Sequence, residues 1–83
     1  MVIQRRMAVL AEAGSLAEVP TMRPDRCHAM KGDRKGQYAV DLVHPFRLAF
    51  APDHDPLPRR ADGGIDLTAV TAIVILEVVD YHD

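Results

Sequence analysis

The chain has 83 residues, 48% of them hydrophobic and 27% charged, with a formal net charge of -2. These figures describe one small globular domain and exclude a chain that binds polyanions by overall charge. Aromatic residues make up 5%, with no Trp, which excludes a broad platform of exposed rings for stacking bases.

In chain order, residues 2–13 carry helical periodicity, with Ile3, Met7, Leu10 and Ala11 on one apolar stripe and Gly14 as the stop. Ser15 and Glu18 have the spacing of a capping box. Pro20 and Pro24 hold the helix that follows to a turn or two. Residues 26–30 read as a short strand, and K-G-D-R-K-G (31–36) as a polar turn. Residues 37–43 and 46–50 alternate, with Tyr38, Val40 and Leu42 on one face of the first and Phe46, Leu48 and Phe50 on one face of the second. A two-residue loop would mix the faces of this hairpin. A three-residue connection at Val43-His44-Pro45 keeps every apolar residue on one side and sets Asp41 opposite Arg47. Residues 51–69, with three prolines and two glycines, read as a long connection with a mobile tip. Residues 70–79 are apolar on both faces except at Thr71 and Glu77, the pattern of a central strand. The expected architecture is α+β, one domain over residues 1–83, with helices packed on a mainly antiparallel four-stranded sheet.

Charge is unevenly spread. Met22 to Gly36 holds five basic and two acidic residues, a net of +3, and Ala51 to Asp83 holds two basic and seven acidic, a net of -5. A local basic patch meets phosphate even when the total charge is negative. The single cysteine, Cys27, permits no intrachain disulfide and reads as a small buried apolar residue. The N-terminal stretch does not read as a signal peptide, and no segment approaches the ~20 apolar residues that span a bilayer. The expected location is the cytoplasm, away from membranes.

Three features carry chemistry. The basic turn brings Lys31, Arg34 and Lys35 together with backbone amides that suit phosphate. Arg47 lies within an apolar strand, either paired with Asp41 or presented to a phosphate. Asp80, Tyr81 and His82 end the chain, where His82 has the side chain most used for acid–base work. Each has a plain reading as a solvated loop, a cross-strand pair or a polar tail. His28, His44, His54 and Cys27 lack the spacing of a metal ligand set, so neither metal nor cofactor is expected. A cation, an acid and a base on one small sheet are what metal-free RNA cleavage needs.

The stretch RCHAMKGDRKGQYAVDL, then FRLAF, then EVVDYH resembles the HigB-like branch of the RelE/ParE toxin superfamily. Members carry a motif close to L-K-G-x-R-K-G-x-W-x-V, then W-R-[IL]-x-F, then a terminal D-Y-H. The resemblance runs over residues 5–83, with Tyr38 and Phe46 where tryptophans are frequent. It implies a RelE-like fold and the toxin of a type II toxin–antitoxin pair, a plasmid-maintenance killer protein that cuts mRNA on the ribosome. It also implies a HigA-like helix-turn-helix antitoxin as partner. By position, His82 would be the acid–base group, with Asp80 and Tyr81 supporting it or touching substrate. Lys31 and Arg47 would stabilise the phosphate transition state, and Lys35 and Arg34 would add phosphate contacts. The family fold opens with a strand and a long helix that this chain lacks, which implies an N-terminally shortened domain with a bare sheet face and a tendency to form oligomers. A non-catalytic antitoxin-binding protein, a gyrase-directed ParE-like protein and an inactive remnant are the alternatives.

Overall fold

The computed structural model describes residues 2–80. Helix α1 spans Val2–Glu12, and the strands are β1 (His28–Ala29), β2 (Tyr38–Asp41), β3 (Phe46–Pro52) and β4 (Ile73–Asp80). The sheet order is β1-β2-β3-β4 with every neighbouring pair antiparallel, so the domain is α+β with one helix and a four-stranded meander.

Helix α1 forms where expected but presents a different stripe. Ile3, Val9, Leu10 and Ala13 pack on the core, whereas Met7 is 45% exposed and Ala11 is also exposed. Arg6 takes the inward place between Ile3 and Leu10. Its Nε donates to the Asp41 carbonyl at 2.6 Å and lies 3.4 Å from Asp25 Oδ1. Positions 3, 6, 10 and 13 thus form the stripe, because Arg6 carries polar contacts that hold this side of the helix against the sheet.

The second helical segment is a single 3-10 turn, Leu16–Glu18. The expected capping box does not form: the Ser15 side chain makes no cap hydrogen bond, and the Glu18 carboxylate accepts from Gly14 N–H at 3.4 Å. The Glu18 amide donates to the Ser15 carbonyl at 3.0 Å, and the Leu16 amide to the Val70 carbonyl at 2.8 Å, at the end of another 3-10 turn, Leu67–Ala69. Glu18 closes over Gly14 so tightly that a Cβ there would lie 2.8 Å from its Oε2. The glycine therefore serves this contact as well as ending the helix.

The hairpin has the expected register: Tyr38 opposes Phe50, Val40 opposes Leu48 and Asp41 opposes Arg47. Leu42 N–H donates to the Phe46 carbonyl at 3.0 Å, leaving Val43-His44-Pro45 as the connection. The first strand is shorter than residues 26–30. Arg26 has a φ of 47°, which breaks the extended backbone just ahead of it.

The core lies between one sheet face and the helical segments. It contains Leu16, Val19, Cys27, Val40, Leu48, Phe50 and Val70. The other face carries a smaller cluster in which Met30 packs on Ala39 and Ala49 with Val79 alongside. Burial of this kind supplies ~25 cal/mol per Å² of apolar surface removed from water.

In the C-terminal half the long connection gains internal contacts, and one expectation changes. Residues 51–69 close on themselves through an Arg59–Ile65 bridge, and Arg60 N–H donates to the Gly64 carbonyl at 2.7 Å. His54 Nε2 accepts from the amides of Thr71 and Ala72 at 3.1 and 3.2 Å, fastening the connection to the start of β4. Strand β4 is not central. A meander of consecutive antiparallel neighbours leaves its last strand at an edge, and Val74, Ile75, Leu76 and Val78 are 38–46% exposed. Among the described residues no helix is long and apolar enough to cross a membrane.

Candidate nucleic-acid interface

The basic turn folds back over the sheet. Gly32–Arg34 forms a 3-10 turn, and positive φ at Gly32 (64°) and Gly36 (93°) bends the chain at both ends. Gln37 N–H donates to the Arg34 carbonyl at 2.9 Å, and Arg34 Nη1 donates to Gln37 Oε1 at 2.8 Å. Arg34 Nη2 pairs with Glu77 Oε2 on β4. Ala49 opposes Glu77 and Arg47 opposes Val79, so Glu77 and Arg47 share the face on which Met30 lies.

Beside this turn lies a groove of about 760 Å³. Lys31, Lys35 and Gln37 form one wall, Tyr38 contributes from β2, and Arg59 with Gly63 and Gly64 forms the other wall. Among the described residues none of its three cations has an acidic partner, and no acidic residue lines the groove. Arg59 Nη1 donates to the Gly63 carbonyl at 2.9 Å, which holds the guanidinium against the far wall. The Tyr38 ring stacks on buried Phe50 with centroids 6.2 Å apart. Burial, together with the Cys27 thiol nearby, raises the Tyr38 phenol above its ordinary value, with Arg60 opposing, so the ring stays neutral. Three unneutralised cations around a neutral ring can hold phosphates and stack a base.

Arg47 lies elsewhere. Its Nε is 3.2 Å from Asp41 Oδ1, and both side chains are 20% exposed. Asp41 Oδ2 also meets Arg26 Nη1 at 3.3 Å. Asp41 Oδ1 and Asp25 Oδ1 are buried without an aligned hydrogen bond, so their contacts with Arg47 and Arg6 are ion pairs. Arg47 and the groove's Tyr38 sit at opposite ends of the hairpin, about 10 Å apart along the strands.

The candidate residues therefore divide into two groups. Lys31 and Lys35 line the groove, and Arg34 ties the turn to β4. Arg47 and Asp80 lie at the far end of the sheet, where Arg47 faces Val79 and Phe46 faces Asp80. Tyr81 and His82 lie outside the described residues. Sequence reasoning missed Arg59 and Tyr38. The signal for Arg59 was the R-R-A-D-G-G turn, a second basic, glycine-containing turn that packs beside K-G-D-R-K-G. The cluster of Arg6, Asp25, Arg26 and Asp41 had no signal in spacing, because its members come from three separate segments.

Cys27 is buried, and its thiol is pushed up to about 11 by burial and by the Asp25 carboxylate. A thiol so held is a core group rather than a nucleophile. Among the described residues no three His, Cys, Asp or Glu side chains converge as metal ligands.

Fold and site define a small α+β domain with a basic groove beside its sheet. No family model, curated protein or solved structure matches the chain.

Proposed function

We propose that the chain is a HigB-like toxin with a RelE-like fold, a metal-free endoribonuclease that acts on mRNA at the ribosome in the cytoplasm. The single observation that supports this reading best is the groove of Lys31, Lys35 and Arg59, cationic and without an acid in a chain of net charge -2. Local positive charge set against a global negative balance favours a polyanion held in one place.

In this reading the groove holds the RNA backbone and the Arg34–Glu77 pair fixes the turn to the strand that leads to Asp80, Tyr81 and His82. A base removes the proton of a 2'-hydroxyl, and that oxygen attacks the adjacent phosphorus. The bond to the 5'-oxygen breaks, an acid protonates the leaving oxygen, and a 2',3'-cyclic phosphate and a 5'-hydroxyl end remain. His82 is the acid–base group, Asp80 and Tyr81 support it, and Arg47, at the Asp80 end of the sheet, offsets the growing negative charge, while Lys31 offsets that of the RNA backbone held in the groove. A HigA-like helix-turn-helix antitoxin is the proposed partner.

One observation favours a second reading. The Arg47 guanidinium is held by Asp41 and lies away from the groove, which suits a protein that binds RNA or an antitoxin, or acts on gyrase as ParE-like proteins do, without cutting RNA. Induced expression separates the two. The first reading predicts growth arrest that His82→Ala abolishes and RNA ends that appear on induction. Arrest that survives His82→Ala supports the second, and no arrest with either form supports an inactive remnant.

A further inference from the structure

We infer that one base of a bound RNA leaves its stack and seats against the backbone of Ala29, in an apolar recess that adjoins the cationic groove. This seat depends on the groove being the RNA site proposed above. Alternation along the β1–β2 ladder decides where Ala29 turns its polar groups. Met30 N–H donates to the Gln37 carbonyl at 2.9 Å, so the backbones of Met30 and His28 turn towards β2. Ala29, opposite Tyr38, therefore points its N–H and C=O away from β2, to the outer edge of the sheet. Cys27 points the same way, and its N–H donates to the Pro20 carbonyl at 2.9 Å. On the other side, the Lys31 carbonyl accepts from Arg34 N–H at 3.3 Å. Between these two contacts the Ala29 donor and acceptor pair with no group among the described residues, and Ala29 is exposed.

Ala29 borders a recess of about 300 Å³. Leu16, Val19, Cys27 and Leu67 give it apolar walls, and no acid, lysine or arginine lines it. A gap one residue long does not take a strand, and a recess of this size takes one small group. Ala29 and Tyr38 line both this recess and the cationic groove, so the two meet at that cross-strand pair. Lys31 has extended backbone, with φ -119° and ψ 174°. It lies about 7 Å beyond Ala29 along the chain, the scale of a single nucleotide.

The occupant is a nucleobase because three features coincide. Apolar walls suit a flat ring. The Ala29 N–H and C=O suit an edge that sets an acceptor beside a donor. Lys31, Lys35 and Arg59 suit a phosphate one step away. The Watson–Crick edge of each base sets a donor beside an acceptor, and in single-stranded RNA that edge is free. Tyr38, already stacked on Phe50, supplies an aromatic wall where recess and groove meet.

Equilibrium titration of the full chain with two single-stranded hexamers tests the seat. One is RNA, and the other is a ribose-phosphate chain of the same length and charge without bases. The RNA should bind about ten-fold tighter. Ala29→Pro removes the outward N–H and leaves the ladder intact, since an edge strand accepts proline where the N–H points outward. Ala17→Trp sets a large side chain at the recess, which Ala17 lines from an exposed position. Each variant should weaken RNA binding several-fold, bind the base-free chain as the wild type does, and keep the same salt slope. Equal wild-type affinity for the two hexamers overturns the seat and leaves the groove reading standing. Undiminished RNA binding by either folded variant places base recognition elsewhere and also overturns the seat. Binding of neither hexamer by the wild type removes the groove reading and the seat with it. Ala17→Trp keeps the test decisive if Ala29→Pro fails to fold.

Discussion

Arg34 and Glu77 meet across the sheet face, joining the basic turn after β1 to the final strand. Glu77 Oε2 accepts from Arg34 Nη2, and Arg34 Nη1 reaches Gln37, so one guanidinium both braces its own turn and docks it. The two side chains are 31% and 56% exposed, which limits the pair's share of stability to about 0–1 kcal/mol. Its consequence lies in placement: the turn that supplies Lys31 and Lys35 is held against the strand leading to Asp80. Glu77→Gln should leave the unfolding midpoint nearly unchanged yet release Arg34 towards an anion. RNA affinity should then rise and its salt dependence steepen by about one unit of log–log slope. Titration of a labelled single-stranded RNA at several salt concentrations checks this. An unchanged slope would mean that Arg34 stays out of reach of the ligand.

The groove makes a prediction that does not depend on cleavage. Lys31→Ala, Lys35→Ala and Arg59→Ala should each weaken single-stranded RNA binding and lower the salt slope by about one. Replacing Tyr38 by Leu should cost about 1–3 kcal/mol of affinity through lost base stacking while leaving the slope unchanged. Arg59 is the discriminating position, since it comes from the 51–69 connection and not from the turn that carries the family resemblance.

Asp41 is the acceptor that Arg26 and Arg47 share, and its main-chain carbonyl takes the Arg6 Nε–H. Asp41→Asn keeps the shape and removes the charge, leaving two guanidiniums facing each other near the end of the hairpin. A loss of about 1–2 kcal/mol is expected in urea unfolding. Asp41→Asn combined with Arg47→Met should recover part of that loss, because the repulsion then disappears.

Cys27 gives a pH signature. Its folded value is raised from 9.0 to about 11, so between these limits the unfolded chain loses its thiol proton while the folded chain keeps it. The unfolded state then binds fewer protons, and stability falls as pH rises. Over that window the loss is on the order of 2–3 kcal/mol. Cys27→Ala should flatten this part of the stability–pH curve, and the native thiol should resist alkylation at pH 9 while the unfolded thiol reacts.

Much of this arrangement could be read from alternation and turn chemistry. The β2–β3 register followed from keeping Tyr38, Val40, Leu48 and Phe50 on one face, because a one-residue slip would move every apolar side chain to the other side. What escaped depended mostly on distant segments. The stripe of α1 rotates because Arg6 finds Asp25 and the Asp41 carbonyl, contacts that helical periodicity alone does not encode. The Ser15–Glu18 box gives way because the Glu18 amide donates to the Ser15 carbonyl in the 3-10 turn and the Glu18 carboxylate turns to the Gly14 amide. β4 reads as a central strand from its apolar pattern, yet its place at the edge is a matter of topology. Arg59 joins Lys31 and Lys35 only because the 51–69 connection returns beside β2.

The central claim is tested most directly by incubating the purified 83-residue protein with translating ribosomes and mapping the mRNA ends. The account predicts cuts within the reading frame that leave cyclic-phosphate and 5'-hydroxyl ends, require the ribosome, are lost in His82→Ala and are weakened in Lys31→Ala. Intact mRNA with the wild-type protein, or equal cutting by wild type and His82→Ala, would contradict it.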